Sequence, residues 1–452
     1  KKWGILIKKE SKSLDFTGLK IPRDYHKKKG GEFMKKLIAT LLPICLSASL
    51  LAGCGGGSGQ SSKPEQSGTT ADTAAQSEAS TEPSSAEGGF DGQVVLGATA
   101  PLTGPNQLTG EYYVNGMKMA VDEINAAGGI LGKELVLDVQ DEGTDQSIAI
   151  NATIKLIESG VPAIIGSYFS TNCMAVLPEI EKNKVPYFAN GSNPDISASE
   201  NNYVWQIRVT DDFTGPIMAD VSIGELGMKN PAVLYTTASS TTIQKDNFVK
   251  AMEEKGSPVS ESNIYGAPEN ESNFSSIINQ ILGSGVDGLV VMGVSEAWDV
   301  ALAQQLQSAG CDIPLLGSSS FASAPFIEVA KDAANGWYTV ADWSPNILGQ
   351  NLDVPAEAVA FEQRYEELYD AKSAMQSAWG YDCVYLFKAA CEKAGTTEDR
   401  EKINEAMNST DVQGANNYYK IYGDTFHVMS TYIMLCETID GAATPIRKVT
   451  FR

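Results

Sequence analysis

The chain has 452 residues, with 34 Lys/Arg against 56 Asp/Glu, a formal net charge of −22 and two His. That length exceeds what one hydrophobic core organises, so more than one folded unit is expected. The acidic balance argues against nucleic acid or anionic lipid as the partner, and His26 and His427 are too isolated to seed a metal cluster.

Residues 1–33 are basic and carry no helix or strand period. The run Lys27-Lys28-Lys29-Gly30-Gly31-Glu32-Phe33 before Met34 can be encoded by a ribosome-binding site and spacer. An untranslated upstream region over 1–33 and a start at Met34 are therefore expected. Lys35 and Lys36, an apolar stretch from Leu37 to Leu51 and the sequence Leu51-Ala52-Gly53-Cys54 then follow. This order predicts a secretory signal peptide over 34–53, shorter than the roughly 20 apolar residues of a spanning helix. Leu51 to Cys54 resembles the lipobox of bacterial lipoproteins, which implies lipidation at Cys54 and a membrane-anchored, extracytoplasmic protein. An ordinary signal peptide with a chance Cys is the alternative. Without residues 1–53, which hold 12 Lys/Arg and 4 Asp/Glu, the net charge is −30. Residues 55–89 contain no Leu, Ile, Val or aromatic, so 54–92 reads as the lipidated Cys and a flexible tether.

The folded part starts near 93. Gln93–Thr99 reads as a strand, and 110–127 as a helix with Met117, Val121 and Ile124 on one face, ended by Gly128-Gly129. Leu135–Gln140 is a strand, 146–158 a helix, Pro162–Gly166 a buried strand, 171–183 a helix and Pro186–Ala189 a strand. Short links between alternating strands and helices predict a parallel sheet covered on both faces. The pattern then restarts, with strands at Ala232–Tyr235, Gly288–Met292 and Pro314–Leu316 and helices at 243–255, Asn273–Gly283 and Trp298–Ala309. Helices 355–370 and 375–394 come next, then strand-like stretches at 418–436 and 445–450 with a turn at Gly423-Asp424. Ligands of such sheets bind outside the carboxyl ends of the strands, so two units facing each other make a cleft. Cys173, Cys311, Cys383, Cys391 and Cys436 show no C-x-x-C spacing, which argues against a disulfide framework or a zinc site.

Two motifs carry a family resemblance. Ala100-Pro101-Leu102-Thr103-Gly104-Pro105 follows the first strand, and Ala120-Val121-Asp122-Glu123-Ile124-Asn125-Ala126-Ala127-Gly128-Gly129-Ile130-Leu131-Gly132 closes the first helix. The pair resembles the opening of type I periplasmic binding proteins of the leucine/isoleucine/valine-binding group. Ile165-Gly166, Val185-Pro186-Tyr187 and Gly380-Tyr381-Asp382 extend the resemblance over most of 93–440. It implies an α/β fold of two doubly wound parallel-sheet lobes joined by a three-crossing hinge. Lobe 1 is expected over 93–211 and 341–429, and lobe 2 over 212–340 and 430–452, with crossings near 209–213, 339–343 and 427–432.

The resemblance also implies ligand contacts. The turn Tyr168-Phe169-Ser170-Thr171 is expected to hold a carboxylate, because a helix N-terminus offers free N–H groups and a favourable dipole. A plain Ser N-cap is the bland alternative for Ser170. Asn190, Gly191 and Ser192 are expected beside that turn, where turn chemistry alone also explains them. Thr109, Thr241, Ser295 and Ser319 are assigned to the same cleft. Ser319 stands where the family carries its ammonium-binding acid, and Glu296 is the candidate replacement, or else a solvated residue at a helix start. Asp342 and Trp343 lie near a crossing and are expected within reach of the cleft.

No nucleophile elbow, phosphate loop or metal constellation is present, so the sequence argues for a binding protein with no cofactor rather than an enzyme. The expected role is the solute receptor of an ABC importer, with an amino acid or related small polar solute as ligand and a membrane permease as partner. A ligand-sensing subunit, a receptor for amides or urea, and a structural lipoprotein are the alternatives.

Overall fold

The computed structural model describes residues 89–143, 145–348, 354–422 and 426–450. The signal segment, Cys54, the tether and the turn expected at Gly423-Asp424 lie outside them.

The first part of the chain runs β1 (Gln93–Ala100), α1 (Gln107–Ala126), β2 (Glu134–Asp141), α2 (Gln146–Glu158), β3 (Ile164–Ile165), α3 (Ser170–Asn183), β4 (Tyr187–Ala189), α4 (Asp195–Ala198) and β5 (Val204–Gln206). The five strands pair in parallel in the order β2-β1-β3-β4-β5. Gly128 and Gly129, both at positive φ, terminate α1, and the N–H of Gly129 reaches back to the Ile124 carbonyl. Asp145 starts α2 by accepting from the Ser147 N–H at 2.7 Å.

The second part runs α5 (Asp211–Gly224), β6 (Ala232–Thr236), α6 (Ser239–Glu254), β7 (Ile264–Ala267), α7 (Ser275–Gly283), β8 (Leu289–Met292), α8 (Glu296–Ser308), β9 (Leu315–Gly317), α9 (Ala324–Ala330) and β10 (Trp337–Ala341). The chain then forms α10 (Ala356–Tyr369), α11 (Met375–Ala394), α12 (Arg400–Met407), the hairpin β11 (Asp411–Gln413) and β12 (Tyr418–Lys420), and finally β13 (Tyr432–Ile439) and β14 (Ala442–Thr450). The second sheet has seven strands in the order β14-β13-β10-β9-β8-β6-β7.

Two expectations change here. The second sheet is mixed, because β13 pairs antiparallel to β10 and β14 antiparallel to β13. A two-residue link between β13 and β14 permits only an antiparallel return. The strand-like stretch 418–436, expected to turn at Gly423-Asp424, holds β12 and the start of β13. Helix α5 escaped the sequence pattern because Asp211-Asp212-Phe213-Thr214-Gly215-Pro216 reads as a turn. Packing overrides it. A Cβ on Gly215 would sit 2.6 Å from the Gln244 carbonyl, so this glycine lets α5 lie directly on α6.

Trp205, Phe188, Tyr113 and Trp379 anchor the core between the first sheet, α1 and α11. Phe274, Trp298, Phe321 and Trp337 anchor one face of the second sheet, and Phe248, Met218 and Val340 the other. Helix α11 lies against α1 through two glycines. A Cβ on Gly116 would meet the Ser377 carbonyl at 1.9 Å, and one on Gly380 the Tyr113 carbonyl at 2.4 Å.

The chain passes between the sheets after β5, after β10 and before β13, and these three segments are laced together. Gln206 bridges Val428 in parallel, the Met429 N–H donates to the Gln206 carbonyl at 3.0 Å, and the Ser430 hydroxyl to the Ile207 carbonyl at 2.5 Å. Arg208 on the first segment donates from Nε to Asp342 Oδ2 on the second at 3.0 Å.

Candidate functional site

A cavity of about 180 Å³ lies between the carboxyl ends of the two sets of strands. Its lobe 1 wall begins at α1, with Asn106 and Thr109, and continues with Tyr168, Phe169, Ser170 and Thr171 from the turn between β3 and α3. Helix α3 starts at Ser170 behind an extended Phe169, and no side chain caps it. Its first-turn N–H groups therefore remain available for an anion. Ser170 is not an N-cap. Its hydroxyl accepts from the Asn193 N–H at 3.1 Å and ties the turn to the loop after β4.

Behind this turn Ser167 Oγ accepts from the Phe169 N–H at 2.9 Å and donates to Glu142 Oε1 at 2.7 Å. Burial raises the Glu142 carboxyl to about 7, against the opposing bonds from Ser167 and its neighbours.

From the loop after β4 only part of the expected set reaches the cavity. Ser192 lines it and donates to Asp211 Oδ2 at 3.0 Å. Asn190 is a correction: it is fully buried behind the wall, where its amide donates to the Tyr113 hydroxyl and to Cys383 Sγ. Gly191 also stays behind the wall. Its carbonyl accepts from Gln206 Nε2 at 2.7 Å, and a Cβ there would lie 2.9 Å from the Ser170 Cα. Glycine is what allows the start of α3 to pack so closely.

Lobe 2 contributes Glu269, from the segment after β7, and three loops. Ala238, Ser240, Thr241 and Gln244 come from the start of α6. The Thr241 hydroxyl donates to its own loop, to the Thr236 carbonyl at 2.7 Å, so it shapes the wall more than it offers a donor. Gly293, Val294, Ser295 and Glu296 lead into α8, where Ser295 is the N-cap residue without a side-chain cap bond. Glu296 lies in the wall with Oε1 buried and unpartnered, and burial, followed by nearby Glu328, raises it to about 7. Ser318, Ser319, Ser320 and Ser323 form the third loop. Ser318 Oγ contacts both the N–H and the carbonyl of Gly293 at 3.1 Å, fixing one loop against the next.

Arg208, Asp211, Met375, Gln376 and Trp379 complete the cavity and were not legible in the sequence. The Arg208 guanidinium donates to Asp342 at 3.0 Å and to Ser319 Oγ at 2.6 Å, and sits 4.4 Å over the Trp379 ring. Asp211 is buried, and desolvation raises it to about 7 although Arg208 opposes the shift. Asp342 is engaged by Arg208 rather than lining the cavity, and Trp343 is core, donating from Nε1 to Ser373 Oγ at 2.8 Å. Two bonds cross the cleft at its rim: Tyr112 Oη to Glu328 Oε1 at 2.8 Å, and Asn193 Nδ2 to Ser239 Oγ at 3.3 Å.

His427 stacks on Trp205 with ring centroids 3.8 Å apart, and burial lowers its pKa. Burial pushes the Cys173 thiol up to about 12, the opposite of an activated nucleophile.

A sequence profile described as periplasmic binding protein matches residues 93–442. The Leu/Ile/Val-binding protein BraC3 of Rhizobium johnstonii is 25% identical over 316 residues, covering 70% of this chain and 83% of that protein. Among solved structures, a leucine-binding protein from Thermotoga maritima superposes with a TM-score of 0.71 at 23% identity, covering 79% of this chain and 99% of that one. A branched-chain amino acid transporter substrate-binding protein from Streptococcus pneumoniae, in complex with isoleucine, superposes with a TM-score of 0.70 at 22% identity, covering 79% and 100%.

Proposed function

We propose, from the premise that this chain belongs to the periplasmic binding protein family, that it is the extracytoplasmic solute receptor of an ABC importer and closes on an amino acid or a related small polar solute. The observation that carries this reading is the polarity of the cavity from one side to the other. An uncapped helix start with Ser170, Thr171 and Ser192 faces it on one side, and the carboxyls of Asp211 and Glu296 lie in the rest of the wall. A zwitterion matches that pair: its carboxylate lies on the N–H groups of α3 and its ammonium faces an acid. About 180 Å³ is near six waters' worth of liquid at roughly 30 Å³ each, below the roughly 300–1,000 Å³ of drug-sized pockets.

Lobe 1 fixes the solute and lobe 2 covers it, bending at the three laced segments. Contacts to both lobes at once supply the differential affinity that closure needs. The sequence Leu51-Ala52-Gly53-Cys54 and the apolar-free stretch after it support a lipid anchor at Cys54 and a tethered body.

The test is a thermal-shift and calorimetric screen of the chain against amino acids, amides, urea and small carboxylates. A true ligand at 100 times its Kd stabilises the fold by about 2.7 kcal/mol. Ser170→Ala and Ser192→Ala should each weaken binding by about 1–3 kcal/mol. Silence across the whole panel, or unchanged affinity in both variants, overturns the reading.

A further inference from the structure

Four charged side chains line the cavity: Arg208, Asp211, Glu269 and Glu296. Arg208 is already neutralised, because Asp342 accepts from it at 3.0 Å with only 3% of the Asp342 side chain exposed. Glu269 lies exposed at the mouth. Among the described residues no ion pair is made to Asp211 or Glu296, and Arg208, held by Asp342, only partly offsets the burial of Asp211.

These two acids occupy different places. Asp211 takes the Ser192 hydroxyl at 3.0 Å, and Ser192 is followed by Asn193, whose N–H bonds Ser170 at the start of α3. Asp211 is thus coupled, through Ser192 and Asn193, to the start of α3. Glu296 belongs to lobe 2, across the cleft, with Oε1 buried and unpartnered.

Closure on a neutral amino acid gives a partner to only one of them. The other is then sealed from water as a lone carboxylate, which is costly unless it takes up a proton. A solute with two cationic groups satisfies both. We infer that the solute is a dibasic amino acid, with its α-ammonium on Asp211 and its side-chain ammonium or guanidinium on Glu296. This rests on the receptor reading above and narrows it from amino acids in general to one charge class. In the unliganded cavity burial holds both acids near 7, so binding two cationic groups beside them at neutral pH displaces protons from them.

The experiment is isothermal titration of the full chain at pH 8 with lysine, ornithine and arginine, and with their neutral analogues norleucine and glutamine. At least one dibasic amino acid should bind tenfold or more tightly than norleucine. Glu296→Gln should erase that advantage, weakening lysine tenfold or more and norleucine by clearly less. Repeating the lysine titration at pH 7 in two buffers of different ionisation enthalpy should reveal proton release that norleucine does not cause. Norleucine binding as tightly as lysine overturns the inference and leaves the receptor reading standing. No binding by any of the five overturns the inference, and silence toward the amides, urea and small carboxylates as well overturns the receptor reading itself.

Discussion

Replacing Arg208 with Met tests how the crossings are held. Its side chain is 13% exposed and that of Asp342 3%, so the pair is largely dry. The substitution removes the Asp342 bond, the Ser319 bond and the contact with Trp379, and it strands a carboxylate in the hinge. Breaking a buried pair by removing one partner costs about 3–5 kcal/mol. Unfolding entropy near 2.1 cal/mol/K per residue, over roughly 360 folded residues, converts this into a fall in Tm of about 4–7 °C. Burial already raises the Asp342 pKa against the pull of Arg208, and losing Arg208 raises it further. A carboxyl raised in the folded state favours folding below its folded pKa, and that contribution is lost as pH rises through it. The loss in Arg208→Met should therefore be greatest near pH 8 and shrink toward pH 5. Adding Asp342→Asn keeps an acceptor, removes the stranded charge and should restore most of the Tm. Differential scanning calorimetry of the three chains at pH 8 and pH 5 is the assay. A fall below about 1 °C at pH 8, or one that does not shrink on acidification, refutes the reasoning.

Two further expectations concern stability. Burial raises Glu142, Asp211 and Asp382 to about 7, above the roughly 4 of an unfolded carboxyl. Between these values the fold holds protons that the unfolded chain releases, so Tm should rise from pH 8 to pH 5.5 and Glu142→Gln should flatten the slope; a Tm that falls steadily over that range contradicts this. Gly116→Ala drives a methyl into the Ser377 carbonyl between α1 and α11, and overpacking of this kind costs about 1–3 kcal/mol. Urea unfolding with an unchanged midpoint would show that the two helices can part without loss.

Much of the architecture was legible because it is written in local chemistry. The apolar period of α1 and the glycines after it, the short β-branched strands and the restart of the pattern near 232 all act within a few residues of themselves. The motif closing α1 and the turn before α3 likewise carried the family resemblance and the anion-binding expectation, since a helix start is a local object. Ser170 and Thr171 were expected for that reason, Ser192 and Glu296 from the resemblance, and all four line the cavity.

Side-chain direction and distant pairing were decided only by tertiary structure. Asn190 sits in the expected loop, yet its amide turns to Tyr113 on α1 and leaves the cavity. Helix α5 forms through Gly215 against α6, although its first residues read as a turn. Arg208 and Trp379 meet at the cavity from positions 171 residues apart, brought together by the first crossing and by α11. The sequence by itself determined most of the alternating strands and helices and where a helix start could hold an anion, because backbone geometry and hydrophobic period are local. Which acids remain unpaired in the cleft depended on the folded neighbourhood, because Asp342 neutralises Arg208 only once β10 and the segment after β5 lie side by side.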